Sequence, residues 1–246
     1  MMDHLFLFIL LALVAEILGT VGGFGSSLFF VPMAGFFLDF YSVLGITALF
    51  HLSSNVSKIA LFRHGFDKQL ILRIGIPAVL FVIAGAYLSS FFDKRLLEIV
   101  LGLFLIGLSL VLLIATKLTI QPTLKNSLIG GALSGFTAGI LGTGGAIRGL
   151  TMAAFNLPKD VFIATSAVID LGIDFSRSVV YFSNGYMHWH DMYLIPVLML
   201  VSFAGTFLGQ RILRLISDAQ FKKLVLFLIL GVGLITLGRQ LWLLQV

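Results

Sequence analysis

Two stretches of this chain, Ile74–Phe92 and Met192–Gln210, run for 19 residues each without a charged side chain. About 20 apolar residues in a helix cross the ~30 Å hydrocarbon layer of a bilayer, and a water-exposed surface does not accommodate such runs. Ile99–Thr116 adds 18 uncharged residues, while Tyr41–Phe62 and Val161–Phe182 have the length but carry internal charges. Leu224–Gly238 is shorter, with Arg239 and Trp242 placed to anchor it at the interface. Composition agrees: 59% of residues are apolar, 11% are charged, and mean hydropathy is +1.10. Soluble domains carry roughly a quarter charged residues. A soluble enzyme, a disordered chain and a nucleic-acid-binding domain are therefore excluded, and the net charge of +5 reports orientation in a membrane. The absence of cysteine removes disulfides, thiolate catalysis and Cys-based metal sites. Met1-Met2-Asp3-His4 lacks the basic start of a cleavable signal, so the first apolar stretch is expected to stay in the protein.

Leu5–Leu38 and Asn126–Leu157 are each too long for one crossing, and glycines interrupt both. The first interruption reads Gly19-Thr-Val-Gly-Gly-Phe-Gly-Ser-Ser27, the second Gly139-Ile-Leu-Gly-Thr-Gly-Gly-Ala-Ile-Arg-Gly149. Each glycine weakens a helix by ~1 kcal/mol relative to alanine, so a cluster ends it. The two clusters are 120 residues apart, with Gly19, Gly22 and Gly25 matching Gly139, Gly142 and Gly145. Asn55-Val-Ser-Lys58 matches Asp174-Phe-Ser-Arg177 after a one-residue slip, Pro77 matches Pro196, and Ala84-Gly85 matches Ala204-Gly205. The chain reads as an internal duplication, residues 1–120 and 121–246, forming one integral membrane domain.

The lysines and arginines choose between two topologies. If every apolar segment crosses once, the loop and tail cations divide six to seven and show no bias. If each glycine-broken segment is instead a re-entrant hairpin, every repeat has three crossings and the repeats are inverted. One face then holds Arg63, Lys68, Arg73, Lys117, Lys125, Lys159, Arg211, Arg214, Lys222 and Lys223, against Lys94, Arg95 and Arg239 on the other, a split of 10 to 3. The positive-inside rule favours this second arrangement, with both termini outside. Hairpin arms of about 13 residues would reach ~20 Å and put the glycines near mid-membrane. The expected fold is thus an all-α membrane protein of two inverted repeats, each a glycine-broken re-entrant helical hairpin plus three transmembrane helices.

A broken helix at the midplane exposes backbone amides and a positive helix end to an anion. Discontinuous helices at matched places in two repeats point to a transporter's binding site. The bland alternative is that the glycines only let helices pack closely. Gly19-x-x-Gly-Gly-Phe-Gly25 followed by Pro32, its echo Gly139-x-x-Gly-Thr-Gly-Gly145 and the duplicated frame resemble the sulfite exporter TauE/SafE family over essentially the whole chain. That resemblance implies transport of sulfite, organosulfonates or thiosulfate across the cell inner membrane by a multi-pass protein without cofactor. Ser26-Ser27, where the family usually has further glycine, and Arg148 in the second cluster depart from its pattern.

Six ionisable residues lie inside apolar segments: Glu16, Lys58, Arg148, Asp170, Asp174 and Arg177, with a formal sum of zero. Such residues face a cavity or a partner. Asp174 and Arg177, spaced i,i+3, can pair on one helix face. Lys58 has no carboxylate one turn back, leaving snorkelling or substrate contact. Arg148 follows the second break, where an anion would reconcile it with the positive helix end. Candidate substrate-binding residues are Gly22, Gly23, Gly25, Ser26, Asn55, Lys58, Gly142, Thr143, Gly144, Gly145 and Arg148. Ser27, Ser54, Ser57, Thr165 and Ser166 are further donors or interhelical glue. His51 is a proton carrier or a packing residue, and His188-x-His190-Asp191 reads as an external turn, so no catalytic or metal site is assigned. The expected partners are a small anion and the lipid bilayer. An intramembrane enzyme and a passive anion channel are the alternatives, and the coupling ion (proton or sodium) and homo-oligomerisation stay open.

Overall fold

The computed structural model describes residues 2–23, 25–62, 65–114 and 120–213, together with 215, 227, 230–231, 233–239 and 241–242. Six of the fifteen residues of the Leu224–Gly238 segment, and Arg63, Lys117, Arg214, Lys222 and Lys223 of the charge count, lie outside these residues. The described residues are helical, without a strand. In order they form α1 (Met2–Gly22), α2 (Ser27–Ala34), α3 (Phe40–Leu61), α4 (Lys68–Leu70), a π-helical stretch (Ile71–Gly75), α5 (Ile76–Ser89) and α6 (Lys94–Ile114). The second half forms α7 (Leu124–Leu141), α8 (Gly145–Ala153), α9 (Lys159–Ser183), a 3-10 turn (Trp189–Asp191) and α10 (Leu194–Leu213). Leu5–Gly22, Lys68–Ser89 and Leu194–Leu213 are long and apolar enough to cross a membrane. Large apolar side chains face outward all along the helices, among them Leu80, Phe182, Leu200 and Phe203, as lipid-facing surfaces require.

Local chemistry sets the ends. Asp39, Asp67 and Thr123 accept from the first free amides of α3, α4 and α7. Pro77 has no N–H and crowds the carbonyl four residues back, at Arg73, and the helix widens into its π stretch there. Gly142 stops α7 in the left-handed region, φ +76°.

Packing fixes the helix directions. On α7, Gly131, Gly135 and Gly139 lie against the carbonyls of Ile74, Ala78 and Val82, so α7 runs parallel to the π stretch and α5. A Cβ at these three positions would come within 2.3, 2.0 and 2.3 Å of those oxygens. Gly75 meets Ile169 and Gly172 meets Val79, which makes α9 parallel to α5 as well. In the same way Gly205 and Gly209 sit on Glu16 and Thr20, making α10 parallel to α1. Ser53 bonds Ser202 at 2.7 Å and Gln210 donates to the Leu61 carbonyl, so α3 is parallel to α10 too. Finally α3 and α9 cross antiparallel, with Gly45 against Tyr186, Asn55 against Asp174, and Phe62 clustered with Ile163 and Ala164.

With α1 and α3 parallel, the segment between them must carry the chain back, and the Phe8–Phe37 ring contact at 5.5 Å brings it beside the start of α1. The segment between α7 and α9 does likewise. Both glycine-broken segments are therefore hairpins, but their arms are unequal. Arms of about 13 residues were expected, whereas α1 has 21 residues and α2 has 8, and α7 has 18 and α8 has 9. Uniform hydropathy across Leu5–Gly22 gives no mark of where an arm ends; backbone geometry at the glycines does.

Candidate functional site

Both hairpin tips are pinned by bare backbone. A Cβ on Gly19 would lie 2.3 Å from the Ser26 nitrogen, and one on Gly144 2.0 Å from the Ser134 carbonyl oxygen. Ser134 Oγ also donates to the Gly144 carbonyl at 2.9 Å. The first tip turns through Gly23 (φ +67°) and Gly25 (φ +81°), conformations that a residue with a Cβ reaches only under strain. Gly22 still ends α1, one residue before the turn.

Beside the first tip lies Glu16, fully buried. Its Oε1 accepts from Ser54 at 2.6 Å, Thr206 at 3.0 Å and Thr20 at 3.2 Å, and its Oε2 accepts from Ser26 at 2.6 Å. Lys58 Nζ stands 2.9 Å from the same Oε1 and donates to Ser54 Oγ. Lys58 therefore does not snorkel; its partner is on another helix. The second cluster is centred on α9. Arg177 pairs with Asp174 at 2.8 Å, as the i,i+3 spacing predicts, and also donates to the carbonyls of Gly142 (2.8 Å) and Ala138 (3.2 Å). Asn55 donates to Asp174 Oδ2 at 2.7 Å, and His51 joins the clusters, its Nε2 3.0 Å from Ser26 Oγ and its Nδ1 3.9 Å from Asp174.

Arg148 is 1% exposed. Both of its Nη atoms donate to the two carboxylate oxygens of Asp170, and its Nε donates to Ser166. Asp170, which sequence reasoning left out of the site, thus already answers Arg148 and the start of α8. The signal was available, since the six intramembrane charges cancel. Partners on different helices cannot be matched from spacing.

Two small clefts meet at this pair. One is lined by Gly19, Thr20, Gly23, Gly25, Lys58, Ile163, Ser166, Ala167 and Asp170. The other is lined by Gly25, Ser27, His51, Ala138, Gly142, Gly144, Gly145, Ile173, Asp174, Arg177 and the Arg148–Asp170 pair. Gly25 and Asp170 belong to both. Along α9 the order is Ile163, Ser166, Asp170, Asp174, Arg177, Tyr181, a single face ~27 Å long at 1.5 Å per residue. Beyond the second cleft Tyr181 stacks on Tyr186, and Tyr186 on Tyr41 with ring centroids 4.3 Å apart. Tyr181 donates to the Gly139 carbonyl at 2.6 Å and ties this stack to the second hairpin. Burial pushes the Tyr186 hydroxyl up, so it stays neutral while it bonds Ser89 at 3.0 Å.

Of the predicted site residues, Gly23, Gly25, Lys58, Gly142, Gly144, Gly145 and Arg148 line these clefts, while Ser26 and Asn55 hold the carboxylates behind them. Thr143 is buried, and its Oγ1 has no hydrogen-bond partner among the described residues. Ser57 and Thr165 are occupied structurally, by the Ser53 carbonyl and the Asp67 amide. His188, His190 and Asp191 gather within 4.8 Å of one another in the loop after α9, remote from both tips.

The family model of the sulfite exporter TauE/SafE matches residues 8–236. The chain belongs to that family. It is also 26% identical over 248 residues to a probable membrane transporter protein of Methanocaldococcus jannaschii, with 92% of each chain covered. No solved structure matches it. The protein is thus a TauE/SafE membrane transporter and not an enzyme.

Proposed function

We propose that this TauE/SafE protein exports small sulfur-containing anions of the sulfite, organosulfonate or thiosulfate type across the cell inner membrane, by alternating access between two inverted halves. The observation that carries the reading is the convergence of both glycine breaks on one partition. Gly25 of the first tip and the Arg148–Asp170 pair beside the second lie where two clefts meet, one lined by α9 residues up to Asp170 and the other by α9 residues from Asp170 onward. Arg148 presents a planar fork of donors matched to two oxygens on one centre, as sulfonate and sulfite offer. Backbone at Gly142, Gly144 and Gly145 approaches the same space without side chains.

The helix contacts support the inverted duplication. Under the repeat offset α1–α10 exchanges with α7–α5, and the contact of Gly205 with Glu16 corresponds to that of Gly85 with Phe136. Asn55 and Asp174, matched by the repeat, touch each other on antiparallel helices, as residues beside an in-plane two-fold axis would. Counterflow tests the function. Liposomes preloaded with unlabelled sulfite should accumulate labelled sulfite, thiosulfate or methanesulfonate, saturably. Non-saturating flux would make the protein a channel, and no flux with any of the three would overturn the substrate class.

A further inference from the structure

Among the described residues, three ion pairs lie between the hairpins, and they are not equally tied. Glu16 accepts from four hydroxyl groups and Lys58. Asp174 is held from both sides, by Asn55 and by an Arg177 that is itself fixed to two backbone carbonyls. Asp170, among the described residues, accepts from Arg148 alone. It is also the most accessible of the three carboxylates, its side chain 17% exposed against 0% for Glu16 and 3% for Asp174. The residue it faces across the partition is a glycine. A Cβ on Gly25 would stand 3.9 Å from Asp170 Oδ2 and 4.0 Å from Arg148 Nη2, so bare backbone leaves room there for the carboxylate to swing.

We propose that Asp170 is a resident competitor for the transported anion: its carboxylate fills the Arg148 fork, and the anion enters when a proton neutralises and releases that carboxylate. This rests on the anion-transport reading and adds the coupling ion to it. A carboxylate and a sulfur oxyanion offer a guanidinium the same thing, two oxygens on one central atom, so the two occupy Arg148 alternately. Charge conservation follows. With Asp170 ionised on Arg148 the pair sums to zero, and with Asp170 protonated and a monoanion on Arg148 it again sums to zero. Binding one monoanion therefore takes up one proton onto an Asp170 oxygen, and release of the anion returns that proton as the ion pair re-forms. A state with both the carboxylate and the anion on one buried guanidinium carries an uncompensated charge, which a low-dielectric site disfavours.

The charged and titratable groups around Asp170 leave it as the group that moves. From α8 it faces Arg148, and from α3 Lys58 and His51. From its own helix it faces Asp174 and Arg177, and α1 contributes Glu16 behind Lys58. Lys58 and Arg177 keep their own carboxylates, so Arg148 is the cation that loses its partner when Asp170 is protonated. Because Asp170 borders both clefts, the same event opens the partition between them.

Methanesulfonate is the probe, because it keeps a single negative charge at every pH used and leaves titration to the protein. In weakly buffered detergent solution, its binding to the wild-type protein should withdraw about one proton per anion. Its affinity should fall as pH rises, by up to tenfold per unit. Asp170→Asn, which mimics the protonated side chain, should bind at least tenfold more tightly at neutral or higher pH, without pH dependence and without proton uptake. Asp170→Glu should restore both, which separates a chemical role from damaged folding, with thermal unfolding recorded on every variant. Wild-type binding without proton uptake, or Asp170→Asn with the wild-type pH dependence, would overturn the competitor while leaving anion transport standing. No binding of methanesulfonate, sulfite or thiosulfate at any pH would overturn both.

Discussion

Lys58 Nζ lies 2.9 Å from Glu16 Oε1, inside a shell of hydroxyls that α1, α3 and α10 contribute. Removing one member of such a pair strands a buried charge, at a cost of about 3–5 kcal/mol. Lys58→Gln should therefore lower the unfolding temperature sharply, and Glu16→Gln added to it should recover most of the loss; thermal unfolding of detergent-purified variants decides. For Asp174 and Arg177 the recovery should be smaller. Arg177 also holds the Gly142 and Ala138 carbonyls, and Arg177→Gln with Asp174→Asn leaves those acceptors without their charged donor. Full recovery in that double variant would mean that the carbonyl contacts contribute nothing. The contrast also explains what a sequence can disclose at this scale. A partner one helical turn away is legible from the period of the helix, as Asp174–Arg177 was, whereas Glu16–Lys58 and Arg148–Asp170 join separate helices and emerge only from packing.

Helices in this protein are held apart or together by single side chains, and the glycines divide accordingly. Gly135 on α7 lies under the Ala78 carbonyl, where a Cβ would come to 2.0 Å, while Gly107 on α6 has nothing within 4 Å of its Cβ direction. Gly135→Ala should destabilise by about 1–3 kcal/mol as α5 and α7 are forced apart. Gly107→Ala should be neutral or gain up to ~1 kcal/mol of helix stability. The reverse order in thermal unfolding would show that the α5–α7 contact is loose. The glycine breaks themselves were legible because helix propensity collapses there. The unequal arms were not, since α1 and α2 share one hydropathy and differ only in where Gly19 meets Ser26. At the start of α3, Asp39 accepts from Tyr41, Ser42 and Lys94. Partial burial pushes its carboxyl up, but the bonds from Lys94 and Ser42 outweigh it and hold the group below the ordinary 3.8. A folded-state value below the unfolded one stabilises above the unfolded value and is lost as pH falls through the folded one. Asp39→Asn should keep the cap and flatten the acid end of the stability profile between about pH 5 and pH 3, a small effect because Lys94 is half exposed.

Across the whole molecule, the helix directions and the lysine distribution make one joint claim. The loop after α9 and the Asp39–Lys94 pair share one end of the bundle, joined by Ser42 and His188 at 2.8 Å. Asp67 and Thr165, bonded at 2.9 Å, mark the opposite end, where α7 also begins, parallel to α5. The described cations Lys68, Arg73, Lys125, Lys159 and Arg211 fall at that second end, and Lys94, Arg95 and Arg239 at the first. By the positive-inside rule, the end with Asp67 is the one expected to face the cytoplasm. Because the chain contains no cysteine, single replacements report without background. Trp189, 89% exposed in the loop after α9, and Lys125, exposed at the start of α7, are the positions that distinguish the two ends. In intact cells an impermeant maleimide should label Trp189→Cys and spare Lys125→Cys, which should react only after the membrane is opened. Lys94→Cys should follow Trp189→Cys, and Lys68→Cys should follow Lys125→Cys. An exchanged pattern would keep the fold and reverse the direction in which the Arg148–Asp170 partition faces the cytoplasm. Equal labelling of Lys68→Cys and Lys94→Cys would be fatal to the inverted arrangement, since these residues bracket a single crossing made by α4, the π stretch and α5.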